Sequence, residues 1–294
     1  MAYTPLDPGV RATTARAAHV RLVQVLEVAD LGLTSIDGLA FGDSHLLASG
    51  ATPGGDVLAA VSPLGAVSWT STLPAGLRGA SGLAYDQQVG ELVAGRADRV
   101  VRVPTRGGQP TGSVRDVGSA AGAAGIAMSA GGAVLALEAS PLRVVDLGDG
   151  TAVSLQGVTG PLAGLAATAD GHLFTVSATG STIYEFAADG TLAATRDIRD
   201  AGLSAPVDVE LAPSADPTDD AGKLSLFVAD ATTGIAEFEL AATPLAAVML
   251  DAGTATAALV NTIEGAALTP DSPDPSGITY HNGIDRLVVT SFAQ

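Results

Sequence analysis

The sequence predicts an all-β fold, a six-bladed β-propeller of four-stranded blades closed by an N-terminal strand added to the C-terminal blade. Three observations carry that expectation. A phrase made of a Gly-apolar-small strand, a turn and a second apolar strand is written six times along the 294 residues. Successive copies over the first five stand about 40–45 residues apart, the length of a four-stranded blade. The 36 glycines and 16 prolines are spread through the chain, which punctuates many short elements and argues against long helices.

The first phrase is Asp37-Gly38-Leu39-Ala40-Phe41 followed by His45-Leu46-Leu47-Ala48-Ser49, in a blade expected over about residues 33–74. The second, Ser81-Gly82-Leu83-Ala84-Tyr85 with Glu91-Leu92-Val93-Ala94, opens a blade over about 79–118. Gly125-Ile126-Ala127-Met128 and Gly164-Leu165-Ala166-Ala167 open blades over about 122–158 and 161–200. The fifth phrase, Asp208-Val209-Glu210-Leu211 with residues 224–229, opens a blade over about 205–262. Each of the five is followed by two further apolar runs, taken for the fifth blade from 235–240 and 246–250. Turns such as Gly107-Gly108, Asp149-Gly150 and Asp189-Gly190 supply hairpin chemistry, because glycine reaches positive φ without steric cost.

The sixth phrase, Ser276-Gly277-Ile278-Thr279-Tyr280, an Asn282-Gly283 turn and residues 287–290, ends after two strands. Its blade is therefore expected over about 275–294 plus 10–30. Residues 20–28 pair outside the C-terminal hairpin in this reading, and 10–15 offer a weaker strand. A seventh blade starting at Glu264-Gly265-Ala266 lacks the strands to follow it, so one six-bladed domain over 1–294 is the expectation.

With 31 acidic against 14 basic residues the formal charge is −17, which repels phosphate backbones and excludes nucleic acid as an expected partner. No apolar run approaches the roughly 20 residues of a spanning helix, so no membrane span is expected. There is no cysteine, which removes disulfides, thiol catalysis and thiolate metal sites. Residues 1–20 lack the apolar core of a signal peptide, yet a secreted or extracellular location is favoured over a cytoplasmic one.

Inner strands of a propeller line a channel, so ligand groups are sought at their ends. Asp37, Arg96, Glu138, Asp208 and Asp230 fall there as channel or ligand-binding candidates. Asp37, Glu138, Asp208 and Asp230 converge as hard oxygen ligands for calcium on one reading, and are solvated or Arg96-paired charges on the other. The turn carrying Asp216, Asp219 and Asp220 is a candidate metal loop, with a solvated acidic loop as the alternative. His45, His172 and His281 fall beside first-hairpin turns, where a three-histidine metal site competes with plain exposure. Arg96, Arg99, Arg102 and Arg106 make a basic stripe able to dock an acidic partner or to balance local charge. Neither a Gly-x-Ser-x-Gly elbow nor a His-Glu-x-x-His motif occurs, and no catalytic residue is assigned.

The blade phrases, such as Gly164-Leu165-Ala166 followed by Ile183-Tyr184-Glu185-Phe186 and Asp189-Gly190, resemble those of NHL-repeat and gluconolactonase-like six-bladed propellers. The resemblance spans nearly the whole chain. It implies a calcium- or zinc-dependent lactonase or esterase with a Glu, Asn and Asp set at the channel floor, where Asp37 and Asp208 stand for two members. The Asn members have no counterpart: the two asparagines are Asn261 and Asn282, and the latter belongs to a turn.

Two functions remain. The first is a non-catalytic binding or structural propeller, part of a larger assembly or extracellular, with calcium as a candidate stabilising ion and a protein or small ligand at the channel face. The second is a metal-dependent lactonase or esterase of the gluconolactonase-like type.

Overall fold

The computed structural model describes residues 16–18, 20–96, 98–120, 122–220, 222–240, 275–281 and 286–291. The chain divides into two units, Met1–Pro244 and Leu245–Gln294. The expected strands at 10–15 and 246–250, the Glu264 phrase, the Asn282-Gly283 turn, Asn261 and His19 lie outside the described residues.

The first unit opens with β1 (Arg16–Ala17) and β2 (Val20–Glu27). Blade one follows as β3 (Ser35–Gly42), β4 (His45–Thr52), β5 (Gly55–Val61) and β6 (Val67–Thr72), each antiparallel to the next. Asp43 and Ser44, both at positive φ, make the two-residue β3–β4 turn, whose hand matches the twist of the flanking strands. Blade two is β7 (Gly82–Asp86), β8 (Glu91–Gly95), β9 (Val100–Arg106), with β10 (Gln109–Pro110) and β11 (Arg115–Gly118) both paired to β9. Blade three is β12 (Ala123–Met128), β13 (Val134–Ala139), β14 (Leu142–Asp146) and β15 (Ala152–Ser154). Blade four is β16 (Leu162–Ala167), β17 (Leu173–Ser177), β18 (Thr182–Phe186) and β19 (Leu192–Asp197), with β1 added in parallel to β19. Blade five is β20 (Pro206–Pro213), β21 (Leu224–Asp230) and β22 (Gly234–Leu240), completed by β2 antiparallel to β22.

The described residues therefore form five four-stranded blades rather than six. The second unit contributes a separate hairpin, β23 (Pro275–His281) with β24 (Arg286–Ser291). Residues 20–28 were expected beside that hairpin, and the structure corrects the expectation. Seven of the eight residues of β2 pair along β22, from Val20 opposite Leu240 to Glu27 opposite Gly234, with Val23 bulged out of the register. An outer edge left bare would expose a row of unpaired N–H and C=O groups, and β2 satisfies the edge of blade five.

Apolar side chains alternate along the strands and fill the spaces between neighbouring blades. Leu39, Leu46, Ala229 and Ile235 pack between blades five and one, and Leu47, Leu83 and Val101 between blades one and two. The inner strands β3, β7, β12, β16 and β20 stand side by side in a ring, with β20 against β3. Their spacing depends on the glycines of the phrase. A Cβ on Gly125 would lie 2.4 Å from the Gly164 carbonyl carbon, and one on Gly164, whose φ is +66°, would lie 2.4 Å from the Val209 nitrogen. No L side chain fits those approaches without backbone movement.

Candidate functional site

Aligning the inner strands exposes a departure in blade five. Gly38-Leu39-Ala40, Gly82-Leu83-Ala84, Gly125-Ile126-Ala127 and Gly164-Leu165-Ala166 match Asp208-Val209-Glu210. Where four blades place glycine and alanine, the fifth places two carboxylic acids. Two positions apart on one strand, they share a face of β20, while Val209 and Leu211 pack toward blade four.

Asp208 is wholly buried and ties three blades together. Leu39 of blade one and Leu83 of blade two donate their N–H groups to its Oδ2 at 2.9 and 2.8 Å. Its own neighbour Val209 donates to Oδ1 at 3.0 Å. Burial pushes this carboxyl well above the usual carboxylate range; the Leu39 and Leu83 N–H groups pull the other way, and the Glu210 charge adds to the rise.

Glu210 is half-buried and accepts N–H donors from Leu211 at 2.8 Å and from Phe41 at 3.3 Å. Burial raises its pKa to about 8, against the downward pull of those two N–H groups. Its side chain also lines a cavity of about 290 Å³ at the end of the ring formed by the first-hairpin turns. Ala84 and Ala127 occupy the matching places of their phrases, and Phe41, Tyr85 and Met128 the next positions along the strands. Asp86 at the end of β7, Ala167, Leu211 and the turn residues Gln87, Gln88, Ser129, Ala130, Gly132, Thr168 and Ala169 complete the wall.

Neighbouring groups hold that wall in place. Tyr85 turns its hydroxyl to Asp43 Oδ2 at 2.9 Å and Thr105 Oγ1 at 3.0 Å, and burial raises its pKa. Asp86 accepts Arg102 Nη1 at 2.6 Å and caps its turn through the N–H groups of Gln88 and Val89. Gln87 and Gln88 reach in opposite directions, donating to the carbonyls of Phe41 in blade one and Ala130 in blade three.

The other candidates have separate surroundings. Asp37 is half-buried, with its pKa raised by burial and by Asp56. Arg96 donates to the Gly76 carbonyl at 3.0 Å, and Arg143 Nε donates to Glu138 at 2.7 Å. Asp230, fully buried, accepts the N–H groups of Ser204, Ala205, Thr232 and Thr233; these outweigh burial and hold its pKa low. Asp37 belongs to the start of an inner strand, and Arg96, Glu138 and Asp230 follow or end second strands, so all four lie at the opposite end of the ring from the cavity.

In the acidic turn, Thr218 and Arg21 donate to Asp216 and depress its pKa, while Lys223 and Ser214 do the same for Asp219. Asp220 is exposed. His45 is bonded to the Asp43 carbonyl and Ser68 Oγ, and His172 to Glu185. The arginine stripe is dispersed: Arg102 is drawn between Asp86 and Glu91, whereas Arg99 meets Asp98 and Asp116.

The resemblance implies a metal at the channel floor, and the donors do not fit one. Asp208 has three backbone N–H groups on its two oxygens, and among the described residues no three Asp, Glu, His or Cys side chains group closely enough to hold an ion. Asp208 is a candidate in the sequence and Glu210 is not. The signal was present in the fifth phrase, where an acid replaces the alanine of the other four.

No known protein family matches the sequence, and no curated protein matches it. Several solved structures are similar to the chain. A calcium-binding protein, regucalcin, from Agrobacterium tumefaciens is 14% identical over 76% of this chain and 95% of its own, with a TM-score of 0.49. A gluconolactonase from Xanthomonas campestris is 13% identical over 75% and 90%, with a TM-score of 0.45. A streptogramin B lyase is 12% identical over 75% and 98%, with a TM-score of 0.43. Likenesses at this level assign no activity. Among the described residues no helix is long and apolar enough to cross a membrane.

Proposed function

We propose that the chain hydrolyses an uncharged lactone or ester in the cavity beside Glu210. One arrangement carries this reading: a half-buried carboxyl, its pKa pushed up to about 8 by burial, on the wall of a cavity of small-molecule size. A general base is most effective when its pKa lies near the working pH. In its ionised form Glu210 takes a proton from water as the water oxygen bonds to the acyl carbon. The acyl carbon–oxygen bond to the alcohol part then breaks, and the leaving oxygen receives that proton back. The products are a carboxylic acid and an alcohol, joined in one molecule when the substrate is a lactone.

The experiment is a screen of neutral lactones and aryl esters with the full chain, repeated on Glu210→Gln. The expected result is turnover that rises through about pH 8 and levels off, with kcat about 10²–10⁴-fold lower in the variant. Turnover unchanged in Glu210→Gln removes Glu210 from the reaction, and no turnover of any such compound removes the hydrolase reading.

A non-catalytic binding propeller is the second reading. It is favoured by the N–H groups of Phe41 and Leu211, which already occupy both Glu210 oxygens. Ligand binding in the cavity without turnover would select it.

A further inference from the structure

Among the described residues the cavity wall carries two acids, Asp86 and Glu210, and no lysine, arginine or histidine. Asp86 is neutralised from behind by Arg102, and Asp208 lies two residues along β20 from Glu210 with its oxygens turned to backbone donors. The remaining lining is apolar, aromatic, amide or hydroxyl and carries no charge: Phe41, Tyr85 and Met128 with Gln87, Gln88, Ser129 and Thr168. A ligand carboxylate placed there loses its water, meets no cation, and stands close to like charge. A neutral ester or lactone loses far less on entering the same walls. At about 290 Å³ the space also lies at the small end of ligand sites, which run about 300–1,000 Å³.

We infer that the cavity is a charge filter that admits compact uncharged ring esters and rejects carboxylates, with Glu210 as the residue that sets the discrimination. This deepens the hydrolase reading and rests on it for the name of the substrate class. It adds a consequence for turnover. Hydrolysis breaks the acyl C–O bond of an uncharged ring and forms a hydroxy acid, which gives its proton to solvent. The product is then the species the cavity holds worst, so it leaves without a separate release device.

Binding measures the filter independently of turnover. The probes are δ-valerolactam, a neutral ring that resists hydrolysis, and 5-hydroxyvalerate, the ring-opened carboxylate of the corresponding lactone. Calorimetric titration at pH 6.5 and pH 9 brackets the titration of Glu210. The lactam is expected to bind at least about tenfold more tightly than the hydroxy acid at pH 9. That preference should shrink severalfold at pH 6.5, where Glu210 carries its proton, and at pH 9 in Glu210→Gln.

Equal affinity for the two probes overturns the inference, as does a preference that neither pH nor Glu210→Gln alters, or failure of both probes to bind at millimolar concentration. The pH comparison uses the native chain, so the test survives a variant that fails to fold. A lactam preference found together with no lactone turnover refutes hydrolysis and leaves the filter standing.

Discussion

At the scale of single residues, the centre of the ring is decided by what occupies the glycine place of each blade phrase. Gly125 cannot grow by one carbon, because its Cβ would fall 2.4 Å from the Gly164 backbone. Gly125→Ala is expected to cost about 3 kcal/mol or more, since backbone and not a flexible side chain must yield. Denaturant unfolding of the variant measures this. Asp208 occupies the corresponding place in blade five, where it gathers three N–H groups from three blades. Asp208→Ala leaves those buried donors bare, at a cost of about 2–4 kcal/mol. Asp208→Asn keeps one carbonyl oxygen to accept them and should cost clearly less, and equal losses in the two variants would refute the bridging role.

Among elements, the attachment of β2 to blade five combines a buried and an exposed part. Glu237 on β22 is fully buried; it accepts Gln24 Nε2 of β2 at 2.8 Å and the Ala215 N–H at 2.9 Å. Arg21 of β2 reaches Glu239 and Asp216 from a half-exposed position, and Lys223 adds bonds to Asp219 and Glu239. Desolvation separates the two parts. Removing Glu237 leaves buried donors unpaired, so Glu237→Ala should lower stability by about 2–3 kcal/mol. Arg21→Ala should lower it by under about 1 kcal/mol, and that loss should shrink further in high salt. Thermal melts of both variants in low and high salt check the order.

These elements also show what the sequence could convey. Inner and second strands were legible because each blade repeats the same Gly-apolar-small phrase, and outer strands were legible where a glycine-bearing hairpin turn announced them. The partner of residues 20–28 was not legible, because an apolar strand carries no mark of which bare edge it will cover; β22 offers an edge along which β2 pairs from Val20 to Glu27. The candidate site was legible only in part. Asp208 stood out as a charge at a strand start, but nothing in the repeated phrase marked the turns beyond Tyr85 and Met128 as part of a cavity wall.

On the scale of the whole molecule, the acids pull the pH dependence of stability in opposite directions. Asp216 and Asp219 have depressed values, so the stability they contribute is present above the usual carboxylate range and lost as pH falls through their folded pKa. Glu210 behaves in the reverse sense. Its pKa rises from the ordinary 4.5 to about 8 on folding, so its protonated form is favoured in the folded chain. Its contribution is complete below about pH 4.5, declines as pH rises through the interval, and is lost above about pH 8. Across the middle of that interval the loss approaches about 1.4 kcal/mol per pH unit, less whatever the open side of the cavity returns through hydration. Asp208, also raised, acts in the same direction. The melting temperature should therefore fall between pH 5.5 and pH 8.5, and Glu210→Gln should flatten the fall without removing it, because Asp208 remains. A wild-type melting temperature that holds steady or climbs across this window, or a variant that falls as steeply as the wild type, would show that Glu210 is ionised in the folded ring.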